Sequence, residues 1–156
     1  MLYHALSRAD NASSSLQGTV IGLDYGERRI GVAVGELSLG IAHPVATIHA
    51  GSDRARLEQL APLMDEWKPV LVVIGLPIHM DDSEHPLAAR CSKFAHKLSQ
   101  RFNVASRMVD ERLTSHAAEE ALTAANVSAR RRRHVLDQVA AQTILEAFFQ
   151  THDHTA

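Results

Sequence analysis

The alternation of hydrophobic and polar residues along the chain predicts a sheet that is followed by alternating helices and strands. Two β-rich runs, 19–25 and 29–36, are separated by a short connection that includes Gly26, which is typical of an antiparallel hairpin. A third strand is predicted over 45–49, after the break at Pro44. The remaining segments follow either the helical period or the continuous apolar run of a buried strand: helix 54–67, strand 70–77, helix 87–102, strand 104–111, helix 114–127 and helix 134–150. We therefore expect one mixed α/β sheet with helices packed on it.

Length and composition are typical of one ordinary soluble domain. The chain has 156 residues, of which 46% are hydrophobic and 22% are charged. Residues 1–17 show no hydrophobic period and 151–156 are polar, so we expect an N-terminal tail, a domain over 18–150 and a C-terminal tail. No apolar run approaches the roughly 20 residues that cross a bilayer, and the first residues lack a secretory signal core. These features predict a cytoplasmic protein with no membrane partner.

Charge and cysteine content exclude several classes of protein. The 16 Lys and Arg residues against 18 Asp and Glu residues give a net charge of -2, which excludes a wholly basic protein but not a local basic patch. One cysteine, Cys91, excludes a disulfide framework and a four-cysteine zinc site. Because Cys91 falls on the apolar stripe of a predicted helix, we expect a buried, inert thiol. The chain also lacks the common nucleotide-binding, zinc-protease and serine-hydrolase motifs.

Acidic residues end two predicted strands and begin the last predicted helix. Asp24 ends the first strand, Asp110 and Glu111 end the strand 104–111, and Asp137 lies at the top of an apolar helix face. A lone carboxylate at that last position would cost several kcal/mol, so a cation or a hydrogen-bond partner is expected nearby. Each acid alone is explained equally well by a turn, an ion pair or the helix dipole. Together they form a set of oxygen ligands that suits Mg²⁺ if they converge at one edge of the sheet.

A run of four positive charges stands immediately before the last predicted helix. The run consists of Arg130, Arg131, Arg132 and Arg133. Charge runs are usually solvated loops, but one beside a carboxylate cluster suits a phosphate backbone that is bound next to metal ions. Arg28, Arg29 and Arg112 adjoin the acidic positions and support the same interpretation. The pattern therefore favours nucleic-acid binding.

Four segments, taken in order, resemble the YqgF family of bacterial proteins, also called RuvX or pre-16S rRNA nucleases. The segments are LDYGERRIGVAV (23–34), VVIGLP (72–77), FNVASRMVDERLTS (102–115) and VLDQVAAQTIL (135–145). The resemblance spans 18–150, and four motifs at family-like spacing make it specific. It implies an RNase H-like fold, with a five-stranded mixed sheet flanked by helices, and a metal-dependent nuclease site.

The resemblance also implies roles for individual residues. The metal-binding acids of the family correspond to Asp24, Glu111 and Asp137, and they would hold two Mg²⁺ or Mn²⁺ ions about 4 Å apart for phosphodiester hydrolysis. Asp24 would bridge both ions. Thr114 ends the family motif that begins at Asp110, and we assign it, with the arginines named above, to nucleic-acid binding. The role of Asp110 beside Glu111 stays open.

The chain departs from the family pattern at two places. Gly35 and Glu36 stand where family members often carry Ser-Asp, and arginines 130–133 replace a segment that tends to be rich in Lys and Gly. The first departure leaves the conformation of the loop after the second strand open. The second keeps the positive charge but alters its geometry. Neither departure removes a predicted metal ligand.

The expected function is processing of the 5′ end of pre-16S rRNA, with structured RNA and ribosomal particles as partners and a monomer or weak dimer as the active form. A Holliday-junction resolvase acting on branched DNA is the nearest alternative, although the sequence shows no evident dimerisation helix and contains only 4% aromatic residues. An ATPase of the actin and Hsp70 type is a second alternative, because 23–34 looks like a phosphate-binding hairpin. Such ATPases need two domains of this kind, however. A non-catalytic RNA-binding assembly factor is a third.

Overall fold

A computed structural model of the chain describes residues 17–76, 86–110 and 129–155. Its elements are β1 (Thr19–Tyr25), β2 (Arg29–Glu36), β3 (Ile41–His49), α1 (Asp53–Trp67), β4 (Leu71–Leu76), α2 (Pro86–Phe102), β5 (Ala105–Asp110) and α3 (Ala129–Thr155). Both strands of the predicted hairpin are confirmed with the predicted bounds. The helix predicted over 114–127 lies outside the described residues. No helix in the described ranges is long and apolar enough to cross a membrane.

The strands form one five-stranded sheet in the order β3-β2-β1-β4-β5. β1 and β2 are antiparallel, whereas β1 is parallel to β4 and β4 is parallel to β5. This arrangement confirms the predicted hairpin and the predicted mixed sheet. Because parallel strands end at the same edge, the carboxyl ends of β1, β4 and β5 lie side by side. We call this the carboxyl edge of the sheet.

Helices cover both faces of the sheet. α1 and α2 pack on one face, where Leu60, Phe94 and the predicted buried thiol of Cys91 are fully buried against alternate residues of β1, β2 and β4. α3 alone packs on the opposite face among the described elements, and its buried residues include Ile144 and Leu145. β4 is buried on both of its faces, as its continuous apolar run predicted.

Strand β3 is longer than its sequence predicted. It begins at Ile41, so Pro44 lies inside the strand and does not precede it. β3 is at the edge of the sheet, and one of its sides has no neighbouring strand among the described residues. Proline is tolerated in such a strand, because on the open side there is no ladder hydrogen bond for its missing N–H to break. The pairing of β2 with β3 shifts register between Val32 and Ala33, opposite this proline.

Helix α3 is also longer than predicted. It begins at Ala129, five residues before the predicted start, and it continues to Thr155. The arginine run 130–133 therefore belongs to the helix and does not precede it. The prediction began where the apolar period begins, but arginine is itself a good helix former, and a helix can extend beyond its apolar stripe.

Candidate active site

Asp24 lies at the carboxyl end of β1 on the face of the sheet that α3 covers. Side chains alternate along a strand, so Asp24 shares this face with Val20, which packs in the α3 core, and with Gly22, which contacts Leu145. In the sheet register, Asp24 is opposite a glycine on each side, Gly31 on β2 and Gly75 on β4. The position directly opposite Asp24 on each neighbouring strand therefore carries no side chain.

Gly31 brings α3 close to the sheet at Asp137. A Cβ on Gly31 would overlap the backbone carbonyl of Asp137, so no larger residue fits at this position. A second close approach occurs one turn further along the helix, where a Cβ on Gly22 would lie 3.0 Å from the carbonyl oxygen of Ala141. The two glycines set the height of α3 above the hairpin. As a result, Asp137 stands over the residue that is opposite Asp24.

Two amide side chains fix the rotation of α3 about its own axis. Gln138 donates to the hydroxyl oxygen of Thr47 at 3.2 Å, and Gln142 donates to the carbonyl oxygen of Ala42 at 3.1 Å. Both partners belong to β3, so these bonds tie the helix to the edge strand. This orientation keeps Asp137 turned towards the sheet.

Asp137 forms an ion pair with Arg29. The Nε atom of Arg29 donates to Oδ2 of Asp137 at 2.7 Å. The Asp137 side chain is 15% exposed, whereas the Arg29 side chain is 36% exposed. The position of Asp137 on an apolar helix face predicted a cation or a hydrogen-bond partner, and Arg29 is both. The two residues are 108 positions apart in sequence, so no local pattern identified the partner.

A buried arginine on the opposite face of the sheet holds the turn that follows Asp24. Arg56 of α1 is 6% exposed, and its guanidinium donates to the carbonyl oxygen of Glu27, to Asp53 at 2.8 Å and to the Tyr25 hydroxyl at 3.4 Å. Its Nε atom is buried without a hydrogen-bond partner among the described residues. Sequence reasoning missed Arg56, because its position in a polar helix segment carries no sign of a contact with residues about 30 positions away.

Tyr25 joins this arginine to the core below the site. Its ring lies 5.2 Å from the Arg56 guanidinium carbon and packs against Phe94, with ring centroids 5.4 Å apart. Burial raises the pKa of the Tyr25 hydroxyl above its ordinary value, against a smaller lowering by the charge of Arg56. The hydroxyl is therefore neutral at physiological pH, and it accepts a hydrogen bond from the arginine.

The described residues bring together part of the predicted site. Asp24, Asp137 and Arg29 converge on the α3 face, and Arg28 is exposed on the turn after β1. Asp110 ends β5 at the same carboxyl edge, where its backbone pairs with Leu76. Arg130, Arg131, Arg132 and Arg133 lie in the first turns of the helix that carries Asp137. Glu111, Arg112 and Thr114 lie outside the described residues.

The ligand atoms available at this edge are of the chemical type that a hard divalent cation prefers. Two carboxylates, Asp24 and Asp137, supply the oxygen atoms that Mg²⁺ and Mn²⁺ prefer. Within the described ranges, no group of three His, Cys, Asp or Glu side chains is placed to hold a metal ion. The third predicted ligand, Glu111, follows Asp110 directly in the sequence.

Comparison with known proteins identifies related sequences over nearly the whole chain. The model of the RuvX family, described as Holliday junction resolvase, matches residues 18–151. A protein of Nitrosospira multiformis named "Putative pre-16S rRNA nuclease" is 47% identical over 150 residues, which cover 96% of this chain and 99% of the relative. The family description and the name of the relative thus refer to two different nucleic-acid substrates.

Two solved structures are similar to the fold. T. thermophilus RuvC in complex with a Holliday junction substrate superposes with a TM-score of 0.56 at 16% identity, covering 89% of this chain and 98% of that one. The fowlpox virus resolvase in complex with Holliday junction DNA gives a TM-score of 0.55 at 8% identity, covering 86% and 98%. At such low identity the likeness concerns the fold alone, and it confirms the predicted RNase H-like architecture.

Proposed function

The chain belongs to the RuvX family, and we propose that it is a divalent-metal-dependent nuclease that processes the 5′ end of pre-16S rRNA in the cytoplasm. The observation that carries the proposal is the convergence of Asp24 and Asp137 at the carboxyl edge of an RNase H-like sheet. The name of the 47% identical relative supports rRNA as the substrate. Ribosomal particles are then natural partners, since pre-rRNA is processed during their assembly.

We assign the metal site to Asp24, Asp137 and Glu111. Glu111 corresponds to the metal-binding acid of the family motif that begins at Asp110, and this resemblance supports it as the third ligand. Bound Mg²⁺ or Mn²⁺ supplies Lewis acidity that activates water and offsets the negative charge that develops on the phosphate.

The positively charged residues near this edge suit a polyanionic substrate. Arg28 is exposed on the turn after β1, and the run 130–133 occupies the start of α3. Arginine contacts with phosphates hold a nucleic acid in place and carry little sequence information. We therefore assign Arg28, Arg29 and the arginine run, together with Arg112 and Thr114, to substrate binding, and we expect selectivity to come from the shape of the substrate.

A second candidate function is cleavage of four-way DNA junctions. The description of the family model as a Holliday junction resolvase favours it. Resolvases usually act as dimers that cut two strands symmetrically, whereas we propose a monomer or weak dimer. The two functions use the same carboxylates, so the substrate, and not the site, distinguishes them.

A cleavage assay with both substrates tests the proposal. A structured RNA that carries a ribosomal-precursor 5′ leader and a four-way DNA junction are each incubated with Mg²⁺, Mn²⁺ or a chelator. The native protein is compared with Asp24→Asn and with Asp65→Asn, which makes the same chemical change at an exposed position in α1. We expect RNA cleavage that requires the metal, disappears in Asp24→Asn and persists in Asp65→Asn.

The other outcomes separate the alternatives. Cleavage confined to the junction would replace rRNA processing with the resolvase function. Cleavage that survives in Asp24→Asn would remove the carboxylate site from the mechanism. Metal-dependent cleavage of neither substrate, with RNA binding intact, would favour a non-catalytic assembly factor.

A further inference from the structure

Arg29 is related to both carboxylates of the proposed metal site, to Asp24 through the strand register and to Asp137 through an ion pair. It is on β2, two residues before Gly31, and Gly31 is opposite Asp24. Same-face residues in this diagonal relationship across antiparallel strands are about 7–8 Å apart. Arg29 is therefore a diagonal neighbour of Asp24, while its Nε atom is bonded to Asp137. Arg29 is thus a neighbour of Asp24 in the sheet and the ion-pair partner of Asp137.

We propose that Arg29 is a positioning residue that takes the place of the metal at Asp137 in the metal-free protein and is displaced from Asp137 when a divalent cation binds. The inference rests on the proposed metal site. It assigns Arg29 a role in addition to phosphate binding, and it makes the two roles sequential. Once released from Asp137, the guanidinium is free to contact a substrate phosphate.

The exposures of the two side chains support this assignment. Asp137 is 15% exposed, so its carboxylate has lost most of its hydration and needs a nearby positive charge. Arg29 is 36% exposed, and its long side chain can move its charge into solvent without leaving a buried cation unpaired. The aspartate therefore depends on having a counter-charge more than the arginine depends on this particular partner.

Electrostatics determines the direction of the effect. A guanidinium and a divalent cation at the same carboxylate repel each other, and the repulsion is strong where water is partly excluded. The ion pair therefore stabilises the protein without metal more than the protein with metal. Because coupling between two ligands of one site is reciprocal, removal of the arginine charge should strengthen metal binding.

The test measures Mn²⁺ affinity and thermal stability together. Arg29→Gln removes the charge and keeps a polar side chain, and Arg54→Gln makes the same change in an exposed arginine of α1 that pairs with Glu58. Free Mn²⁺ is followed by its paramagnetic resonance signal, which requires no enzymatic activity. We expect Arg29→Gln to bind Mn²⁺ about tenfold more tightly than the native protein, and Arg54→Gln to be unchanged.

Thermal stability gives an independent measurement. In chelator, we expect Arg29→Gln to melt about 3 °C below the native protein, because the ion pair between Arg29 and Asp137 is lost. In saturating Mn²⁺, the difference should close. A purely structural role for Arg29 would leave the same difference in both conditions and would overturn the proposal. Arg29→Lys keeps the charge without the Nε donor, and we expect a Mn²⁺ affinity between those of the native protein and Arg29→Gln.

Two outcomes separate this inference from the metal site on which it rests. Weaker or unchanged Mn²⁺ binding in Arg29→Gln, together with a loss of Mn²⁺ binding in Asp137→Asn, overturns only the role of Arg29. Native-like Mn²⁺ binding in Asp137→Asn, or no Mn²⁺ binding by the native protein, overturns the proposed metal site itself. If Arg29→Gln does not fold, the Arg29→Lys comparison decides the question.

Discussion

Gly31 in β2 lies directly against the backbone carbonyl of Asp137 in α3, and no Cβ fits between them. Gly31 is also the residue opposite Asp24 in the register of the hairpin. The positions of the two carboxylates are therefore linked through one backbone contact between a strand and a helix. Backbone contacts of this kind are rigid, since no side-chain rotation relieves a clash with a carbonyl group.

Replacement of this glycine should separate the helix from the strand. We expect Gly31→Ala to lower the free energy of unfolding by about 3 kcal/mol or more, since overpacking against backbone forces a shift of the whole helix. Gly51→Ala is the matched control, because a Cβ there meets no atom within 4 Å. Denaturant unfolding, followed by the fluorescence of the single tryptophan, Trp67, measures both. Equal stability of the two variants would contradict the close approach.

The buried arginine beneath the hairpin turn should contribute more to stability than its exposed neighbour. Arg56→Met removes the donor to the Glu27 carbonyl and one of the two cations that pair with Asp53 in the described part of the chain, the other being Lys97. We expect a loss of about 2–3 kcal/mol, because buried polar groups lose their partners. Arg54→Met, two residues earlier and 89% exposed, should change stability by less than about 0.5 kcal/mol. The same unfolding assay compares them, and losses of equal size would refute the role of Arg56.

The outcome at the hairpin shows what a sequence pattern can predict. The bounds of β1 and β2 are correct because their alternation and the intervening glycine are local features, and local features can be read without knowing the fold. The same reasoning predicted that Asp137 needs a cation or a hydrogen-bond partner nearby. It did not identify Arg29 as that cation, because strand pairing and helix packing bring the two residues together from 108 positions apart.

Arg56 and Pro44 show what a local sequence pattern cannot predict. The partners of Arg56 belong to the turn after β1, and nothing in the polar pattern of α1 indicates that this arginine is buried. In the sequence, Pro44 predicts a strand boundary, because proline in a central strand breaks the ladder. Its place in an edge strand depends on the order of the strands, which is a property of the whole sheet. The role of Glu111 stays a prediction.

The raised pKa of Tyr25 should make stability fall in alkaline solution. In the unfolded chain, this hydroxyl ionises near its ordinary pKa of 10.0, whereas burial raises the pKa in the folded protein. The unfolded state therefore loses its proton first, so the contribution to stability is complete below about pH 10 and is lost as the pH rises through the raised pKa. Tyr25→Phe should lose less stability over this alkaline range.

Two measurements check this expectation. Unfolding free energies of the native protein and of Tyr25→Phe are compared at neutral pH and at several values above pH 10. The chain has two tyrosines, so the difference between the tyrosinate absorbance titrations of the two proteins isolates Tyr25. An ordinary midpoint for this group, or parallel alkaline losses of stability, would contradict burial of the hydroxyl.

Arg28 should contribute to nucleic-acid affinity through charge alone. It is exposed on the turn at the carboxyl edge, and we expect Arg28→Ala to weaken RNA binding and to reduce the slope of log affinity against log salt by about 0.7–0.9, the value for one phosphate contact.

Arg101→Ala is the control, because Arg101 is exposed near the end of α2, just before β5 begins at the opposite edge. Binding to several RNA sequences at a series of salt concentrations, with Ca²⁺ in place of the activating metal, measures both. A slope that falls equally in the two variants would mean that the RNA is not confined to the carboxyl edge, and a loss for one sequence alone would mean that Arg28 reads bases.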